Sequence, residues 1–358
     1  MIYQLRILAF ALVIACMCSP VWAQGDDGTI ETPDLQLLFG KPIGVRNLGM
    51  GWTGVADGAV AENLYFNPAN LVSHGGLEIS ASSQNWYDEI DVLNIGGATR
   101  FRIRLGENNS ILIAPGVWYV EQKQEHIESD TQAELETIET KDRYVNVGLG
   151  VGFRIKRVEI GVGAAVKPTW VDFGFLDEEE MAWAFDVGAK IGALLFDIEG
   201  ATLTGTLGAG VLNVGSDAEG DIGFTELPTE TRVGLGFLFQ SRPIDTRAQR
   251  GIPGVKFYLN AELIDRSFQE DPDSATDSDK PPLGSAIGAE LCLINTFNFR
   301  YGYMDDGVDG GVQSNSWGIG IQFANQKFRF ALDLSHLPEI SEGGPSVTST
   351  GLGMSWYY

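Results

Sequence analysis

Few side chains in this sequence have the types and spacing that catalysis or metal binding requires. Three histidines lie far apart and without ligand-like intervals: His74, His126 and His336. Two of the three cysteines, Cys16 and Cys18, fall in an apolar N-terminal stretch, which leaves Cys292 alone in the rest of the chain. A single thiol forms neither an internal disulfide nor a multi-cysteine zinc site. With no nucleophile–base pattern and no phosphate-binding loop, the sequence predicts a protein that is not an enzyme and that uses no metal or cofactor.

Two acidic stretches contain oxygen ligands of the kind that calcium prefers. They are Asp271, Asp273, Asp277 and Asp279 in one, and Asp305, Asp306 and Asp309 in the other. Neither stretch has the spacing of an EF-hand, so we interpret both as solvated loops and leave calcium binding open. The net charge of −24 argues against a nucleic-acid partner, because phosphate binding requires clustered lysine and arginine.

Lysines and arginines recur at polar positions of segments that are otherwise rich in apolar residues. We predict that four of them are candidates for ligand binding: Arg102, Arg104, Arg300 and Arg329. A guanidinium pairs with a carboxylate in a two-pronged geometry, so such cations suit the head group of a fatty acid or a similar amphiphile. The alternative is a structural network in which these cations pair with nearby acidic residues: Glu159, Glu290, Asp57 and Glu62.

These cations belong to segments in which apolar and polar residues alternate, the period that places the two sets on opposite faces of a strand. In residues 326–335, Phe328 and Phe330 alternate with Lys327 and Arg329. Fourteen windows show the pattern, at 77–84, 92–105, 110–120, 144–155, 157–172, 181–195, 201–214, 229–240, 254–266, 283–293, 296–304, 312–323, 326–335 and 347–358. One face is almost purely aliphatic and aromatic, and the other carries charges. Because this is the inverse of a soluble barrel, we predict a transmembrane antiparallel β-barrel of about 14 strands.

The connections between these windows alternate in length, which supports the barrel. Four of them are long and acidic: 121–143, 215–228, 267–282 and 336–346. Those on the other side are mostly short, as the periplasmic turns of outer-membrane barrels are. One turn-side connection, 241–253, is long. Its length has no physical explanation in the sequence beyond a contact with a periplasmic partner through Arg242, Arg247 and Arg250.

The first residues have the organisation of a secretory signal. Arg6 precedes an apolar run, and Val21-Trp22-Ala23 precedes Gln24, so we expect cleavage after Ala23. The alternative is a lipoprotein signal that places lipid on Cys16. Either signal exports the chain from the cytoplasm. We therefore predict three parts: a signal peptide at 1–23, a periplasmic lead-in and N-terminal hatch at 24–76, and the barrel at 77–358.

Residues 46–71 have neither long alternation nor a helical stripe, so they cannot form a core of their own. Another part of the chain must enclose them, and we predict that they lie inside the barrel as a plug. Gly51 and its neighbouring glycines allow the backbone to approach a barrel wall closely. Pro68 fixes its own φ and biases Asn67 towards extended geometry, from which the Asn67 amide can cap nearby backbone groups.

Three short motifs carry a resemblance to a known family: Leu48-Gly49-Met50-Gly51, Val55-Ala56-Asp57 and Asn67-Pro68-Ala69-Asn70-Leu71. They resemble the N-terminal signature of the FadL/TodX (OMPP1) family of outer-membrane transporters, and the start of the related PorV/PorQ barrels is very similar. The match is specific only within residues 46–71. Asn70 stands where glycine is common, and Asp57 is single where two acidic residues are usual. The resemblance assigns the hatch motif to five residues: Gly49, Gly51, Asn67, Pro68 and Ala69.

In that family a small hatch ending in Asn-Pro-Ala plugs a fourteen-stranded barrel. The resemblance therefore implies a passive channel in the bacterial outer membrane for hydrophobic or amphiphilic molecules of the long-chain fatty-acid type. Its partners would be the lipid bilayer and a hydrophobic small molecule. The alternative is a PorV/PorQ-like accessory barrel whose partner is a protein secretion system. The sequence leaves open whether the hatch opens a passage or is an inert plug.

Overall fold

A computed structural model describes residues 43–86, 90–129, 135–172, 180–198, 200–216, 218–220, 223–225, 227, 229–241, 254–267, 283–305, 313–324, 327–338 and 346–357. The predicted signal peptide and residues 24–42 of the lead-in lie outside the described residues. So do most of the acidic loops and the connection at 242–253.

The described chain is almost entirely β-structure. In chain order the strands are β1 Leu77–Trp86, β2 Ile90–Thr99, β3 Phe101–Arg104, β4 Asn109–Ser129, β5 Leu135–Ile155, β6 Val158–Asp172, β7 Glu180–Ile198, β8 Ala201–Ser216, β9 Ala218–Gly220, β10 Gly223–Thr225, β11 Thr229–Ser241, β12 Val255–Ser267, β13 Gly284–Leu293, β14 Phe297–Asp305, β15 Gln313–Ala324, β16 Phe328–Leu337 and β17 Val347–Trp356. The short strands β9 and β10 pair only with each other. The other fifteen strands form one antiparallel sheet.

This sheet closes into a barrel. Each strand pairs with its neighbours in the sheet, β1 pairs with β17, and β2 pairs with β4. Because β2 and β3 pair end to end with the same strand, β4, they occupy one position in the wall. The barrel therefore has fourteen strand positions, which confirms the prediction from the alternating windows. Closure pairs the crossing strands on both sides, as a strand structure in lipid requires, and only the four-residue β3 has a single strand neighbour among the strands of the described barrel sheet.

The break between β2 and β3 has a local cause in β4. The register places Thr99 opposite Pro115, which has no N–H to donate to the ladder. The backbone N–H of Arg100 instead donates to the carbonyl of Gly76 at 3.0 Å. The predicted window 92–105 is thus one strand position interrupted by a proline on its neighbour.

The two faces of the wall differ as the alternation predicts. In β14, Phe297, Phe299 and Tyr301 are 46%, 48% and 38% exposed on the outside, whereas Asn298 and Arg300 are 3% and 4% exposed on the inside. Every barrel position carries at least one large apolar side chain on its exposed face. A soluble surface does not present a continuous apolar band of this size, so the barrel spans a membrane.

Two of the predicted strand boundaries differ from those in the structure. The segment 121–143 was expected to be a loop, but β4 and β5 continue as a paired ribbon to Ser129 and Leu135. Beyond Val120 both faces of the ribbon become polar, so the hydrophobic period stops while the backbone ladder continues into water. The first strand, expected at 77–84, extends to Trp86 and has the length that a bilayer crossing requires.

In the described part of the chain, helical structure occurs only before β1. A short α-helix, α1, spans Val45–Leu48, and two 3₁₀ helices span Ala61–Tyr65 and Pro68–Val72. Among the described residues, no helix is long and apolar enough to cross a bilayer.

The outward face of β11 provides a test of membrane depth. Leu235 is exposed near the middle of this strand, and Thr231, on the same face, lies four residues closer to the long loops. We expect Leu235→Arg to lower the free energy of unfolding from a bilayer by about 2–4 kcal/mol, and Thr231→Arg to lower it by about 0–1 kcal/mol, because the cost of a charge falls towards the interface. Urea titrations of both variants in lipid vesicles would measure the difference. Equal losses would contradict the assigned membrane position of β11.

Candidate functional site: the lumen and the segment inside it

Residues 43–76, which we call the inner segment, lie within the barrel lumen. Nearly all of their side chains are buried, and they contact inward-facing residues on strands around the whole wall. The segment contains no strand, so it is held by side chains and by close packing. The structure therefore places all five residues of the predicted hatch motif inside the barrel, although their role as a hatch stays a prediction.

The Asn67-Pro68 pair of the inner segment has the conformation that its residue types predict. Asn67 is extended, with φ −166°, and Pro68 opens the 3₁₀ helix that follows. The side-chain oxygen of Asn67 accepts a hydrogen bond from the N–H of Ala69 at 2.9 Å. Its side-chain nitrogen donates to the carbonyls of Val55 at 2.8 Å and Ala189 at 3.0 Å. One amide thus joins two parts of the segment to the wall at β7.

Glycines on the inner face of the wall let the segment approach it. A Cβ built on Gly188 would lie 2.0 Å from the side-chain oxygen of Asn67, and one on Gly302 would lie 2.1 Å from the N of Gly51. Gly51 itself has φ +64°, which disfavours side chains, and its own Cβ would lie 2.6 Å from backbone atoms of Tyr303. The high glycine content therefore has a steric role at these contacts.

A chain of buried ion pairs ties the first part of the segment to the wall. Arg46 of α1 pairs with Asp57 in the same segment and with Glu290 on β13 at 3.0 Å. Glu290 is also bound by Arg300 at 2.5 Å, and Arg300 reaches Asp333 at 2.6 Å. These partners satisfy each other's charges in a space from which water is largely excluded.

A second anchor uses a carboxylate to bind backbone. Glu262 of β12 accepts hydrogen bonds from the N–H groups of Gly54 at 2.5 Å and Val55 at 2.7 Å. Arg232, which contacts Glu262 at 3.4 Å, donates to the carbonyl of Trp52 at 3.0 Å. Charged side chains of the barrel therefore complete the hydrogen bonding of an irregular backbone.

The four candidate ligand cations divide into two pairs. Arg300 is 4% exposed and bound by two carboxylates, as the structural-network alternative describes. Arg329 donates to Gln322 at 2.8 Å. Arg102 and Arg104 are exposed at the short-turn end, where Arg102 donates to Ser110 at 3.2 Å. The structure does not bring the four together into one site, and their ligand role stays a prediction.

The long-loop end of the lumen has a cluster of buried apolar side chains, a feature that the sequence analysis did not identify. Buried polar residues lie between them, because Gln84 and Gln122 are opposite Val92 and Lys167 is opposite Ala184. We call the following inward-facing residues the apolar layer: Trp86, Ile90, Val92, Val120, Tyr144, Val171, Ala182, Ala184, Ile264, Ala286, Met304, Leu337 and Val347. Trp52, Tyr65 and Phe66 of the inner segment pack against the layer from below, with the rings of Trp52 and Trp86 5.7 Å apart. Alternation in the sequence assigns these positions to the inside of the barrel. It does not show that the polarity of the inner face changes along the barrel axis.

The short-turn end of the lumen contains a cavity of about 540 Å³. Its roof is formed by the inner segment near Gly58 and Ser73, and its walls include Lys190, Arg154 and Glu159. Ser73 donates to Glu159 at 2.5 Å and accepts from Lys190 at 2.8 Å. The lumen therefore has an apolar cluster at one end, a filled middle and a charged end that is open.

A buried acid of the inner segment borders a smaller cavity of about 40 Å³. Burial, together with the nearby carboxylates of Glu78 and Asp333, raises the pKa of Glu62 to about 8, although Asn94 donates a hydrogen bond to Glu62 at 2.7 Å. Glu62 therefore carries a proton at neutral pH. Among the residues described, no three acidic, histidine or cysteine side chains are placed to bind a metal ion. The two acidic stretches that we interpret as solvated loops, with calcium binding left open, lie largely outside those residues.

No known family pattern and no curated relative matches this sequence. Among solved structures, the Pseudomonas putida toluene transporter TodX is 11% identical over 88% of this chain and 98% of its own, with a TM-score of 0.44. The Ralstonia pickettii toluene transporter TbuX is 12% identical over 91% and 100%, with a TM-score of 0.48. The transport unit of the autotransporter AIDA-I from Escherichia coli is 11% identical over 79% and 89%, with a TM-score of 0.40. Because barrels of different functions are similar at this level, the likeness does not distinguish between functions.

Enlarging Gly51 tests the close contact between the inner segment and the wall. We expect Gly51→Ala to destabilise the protein by about 1–3 kcal/mol, through its positive φ and overpacking, and Gly51→Leu to do so by more. Gly353→Ala is the matched control, because a Cβ there meets no atom within 4 Å. Denaturant unfolding in detergent would measure all three variants. Unchanged stability of Gly51→Leu would show that residue 51 is wrongly placed.

Glu62 provides a test that depends on pH. Because its folded pKa of about 8 lies above the ordinary value of 4.5, the wild-type protein should lose stability as the pH rises between these values. Glu62→Gln cannot ionise, so it should match the wild type near pH 4.5 and become progressively more stable than the wild type up to pH 8. Unfolding midpoints at three pH values would measure this, with Glu107→Gln at an exposed position as the control. A stability difference that is the same at every pH would contradict the assignment.

Proposed function

We propose that this protein is a passive channel of the bacterial outer membrane for hydrophobic or amphiphilic molecules. The observation that carries the proposal is the apolar layer at the long-loop end of the lumen. A pore for hydrophilic solutes has a polar interior, whereas an apolar inner surface can accept a molecule that has left water or lipid. The TodX and TbuX structures are described as those of toluene transporters, which is consistent with a substrate of this kind.

The inner segment is the proposed hatch. It separates the apolar layer from the cavity at the short-turn end, and glycine contacts leave little space beside it. Apart from the backbone bond that Arg100 donates to Gly76 at its end, its described hydrogen bonds and ion pairs to the wall involve side chains, and it is not a member of the barrel sheet. Movement of the segment would therefore leave the strand ladder intact. Because the inner segment is separate from the barrel sheet in this way, we favour a hatch over an inert plug.

Uptake measurements test the proposal. Cells that contain the protein should take up a labelled fatty acid and a labelled monoaromatic hydrocarbon faster than cells that lack it. Met304→Gln keeps the side-chain length but places an amide in the apolar layer, so it should reduce uptake. Ser349→Ala is the control, because its buried hydroxyl has no hydrogen-bond partner among the described residues.

Equal uptake with and without the protein would rule out the transport proposal. Co-purification of the wild-type barrel with a large secretion complex would then favour the accessory role. Surface labelling of both variants would establish that each reaches the membrane in the same amount.

A further inference from the structure

The first described residue, Ile43, lies inside the barrel, and the contacts of β5 show at which end of the lumen it lies. Along β5, from the long-loop end to the short-turn end, the inward residues meet successively later parts of the inner segment. Tyr144 and Asn146 border a cavity of about 10 Å³ with Ile43, Gly148 lies against Leu64, and Gly150 and Gly152 lie against Leu71 and Val72. The segment then enters β1 at Leu77, at the short-turn end. Ile43 is therefore at the long-loop end of the segment.

The described residues leave the chain that precedes Ile43 one way out of the lumen, at the long-loop end. Beside Ile43 the wall is a continuous ladder, because β4 and β5 are paired residue by residue from Asn109 to Ser129. Below Ile43 the lumen is filled by the inner segment, in which Leu64 and Phe66 are 1% and 0% exposed. Because a chain crosses neither barrier, the preceding residues are directed towards the mouth of the barrel on the long-loop side.

The mouth of the lumen offers this chain an apolar surface. Four members of the apolar layer lie within three residues of a strand end on the long-loop side and are at most 1% exposed: Val171, Ile264, Leu337 and Val347. Ile43 belongs to the same cluster of buried side chains, and so does Leu227 of the connection before β11. The surface beside the emerging chain is therefore one that stabilises an apolar segment by removing it from water.

The residues just before Ile43 have the composition that fits this surface. Residues 35–39 are Leu-Gln-Leu-Leu-Phe, whereas residues 24–34 contain four acidic residues and one large apolar residue, Ile30. Phe39 is four residues from Ile43, and four residues of extended chain span at most about 14 Å. The apolar residues are therefore within reach of the layer, and the acidic residues before them have the composition of a solvated chain.

We propose that the apolar layer is the docking surface of residues 35–39 of this chain, and that residues 24–34 lie on the outer side of the membrane. The sequence analysis predicts a periplasmic lead-in, so the proposed position is the opposite one. It follows from the path of the chain and does not depend on the proposed channel function. In such a channel, residues 35–39 would occupy part of the path, and a substrate would have to displace them.

Labelling of single cysteines in intact cells tests the position of residues 24–34. In a Cys292→Ala background, Gly28→Cys should react with a maleimide that is coupled to a polymer too large to pass through porins. Gln313→Cys, exposed at the long-loop end, is the positive control. Glu107→Cys, exposed in a short turn, should react only after the cells are lysed. Reaction of Gly28→Cys only after lysis would overturn the proposed position.

The same reaction tests the docking. Phe39→Cys should react roughly tenfold more slowly than Gly28→Cys, because docking on the layer protects residue 39 until it opens locally. Leu38→Asp, added to Phe39→Cys, should raise this rate about tenfold, because a carboxylate is costly to hold in an apolar cluster. Ile30→Asp is the matched control, because it is the same kind of change outside residues 35–39, and it should leave the rate unchanged. Heat-dependent mobility on gels would establish that each barrel is folded.

Equal rates for Phe39→Cys and Gly28→Cys would overturn the docking and would assign the layer to the long loops, including the one that carries Leu227. A slow reaction of Phe39→Cys that Leu38→Asp does not accelerate would overturn it as well. Neither measurement involves a transported molecule, so failure of the proposed channel function would be a separate result, seen only in the uptake of a fatty acid or a hydrocarbon.

Discussion

The structure depends on one constraint: an irregular backbone inside a membrane barrel must find hydrogen-bond partners without strand pairing. The barrel wall supplies them. Glu262 accepts from two consecutive N–H groups of the inner segment, Glu78 accepts from the N–H of Ala61, and Ser316 accepts from the N–H of Gly51. In the other direction, Ser335 donates to the carbonyl of Val45. Charged and hydroxyl side chains in the lumen therefore complete the folding of a segment that has no core of its own.

The same constraint explains why the inner face combines glycines with charges. Glycine at positions such as 188 and 302 removes side-chain volume where the segment touches the wall, and charged residues beside those contacts reach its backbone. A uniformly charged inner face would leave no room for the segment, and a uniformly glycine face would leave its polar groups unsatisfied. The buried ion pairs are costly to desolvate, but each is joined to at least one further partner, as Glu290 is joined to both Arg46 and Arg300.

Alternation in the sequence was sufficient to predict the fold, because each crossing strand is apolar on one face only. It gave fourteen strand positions and assigned Arg300, Glu290 and Glu262 to the inside. It failed at 121–143, where both faces are polar, and it could not place the proline opposite Thr99 that divides β2 from β3. The candidate site was less predictable. Whether an inward cation is free or paired depends on residues of other strands, as Arg300 of β14 with Asp333 of β16 shows. The alternation of apolar and polar residues carries no information about such pairs.

The energetics limit how a passage could form. Separating one buried charge from its partner costs about 3–5 kcal/mol, and the inner segment has such contacts at Arg46 as well as backbone bonds to Glu262 and Arg232. Breaking all of them together would cost as much as the total stability of an ordinary domain, about 5–15 kcal/mol. Expulsion of the whole segment is therefore excluded as a routine step. Both parts of the segment pack against glycines of the wall: Pro68 to Val72 against β5 and β6, and Met50 to Val55 against β8, β13 and β14. The earlier part is held in addition by side-chain hydrogen bonds and ion pairs. Polar contacts can be exchanged one at a time for contacts with water or with a ligand head group, but close packing against glycine cannot, so the glycine contacts limit opening in both parts of the segment.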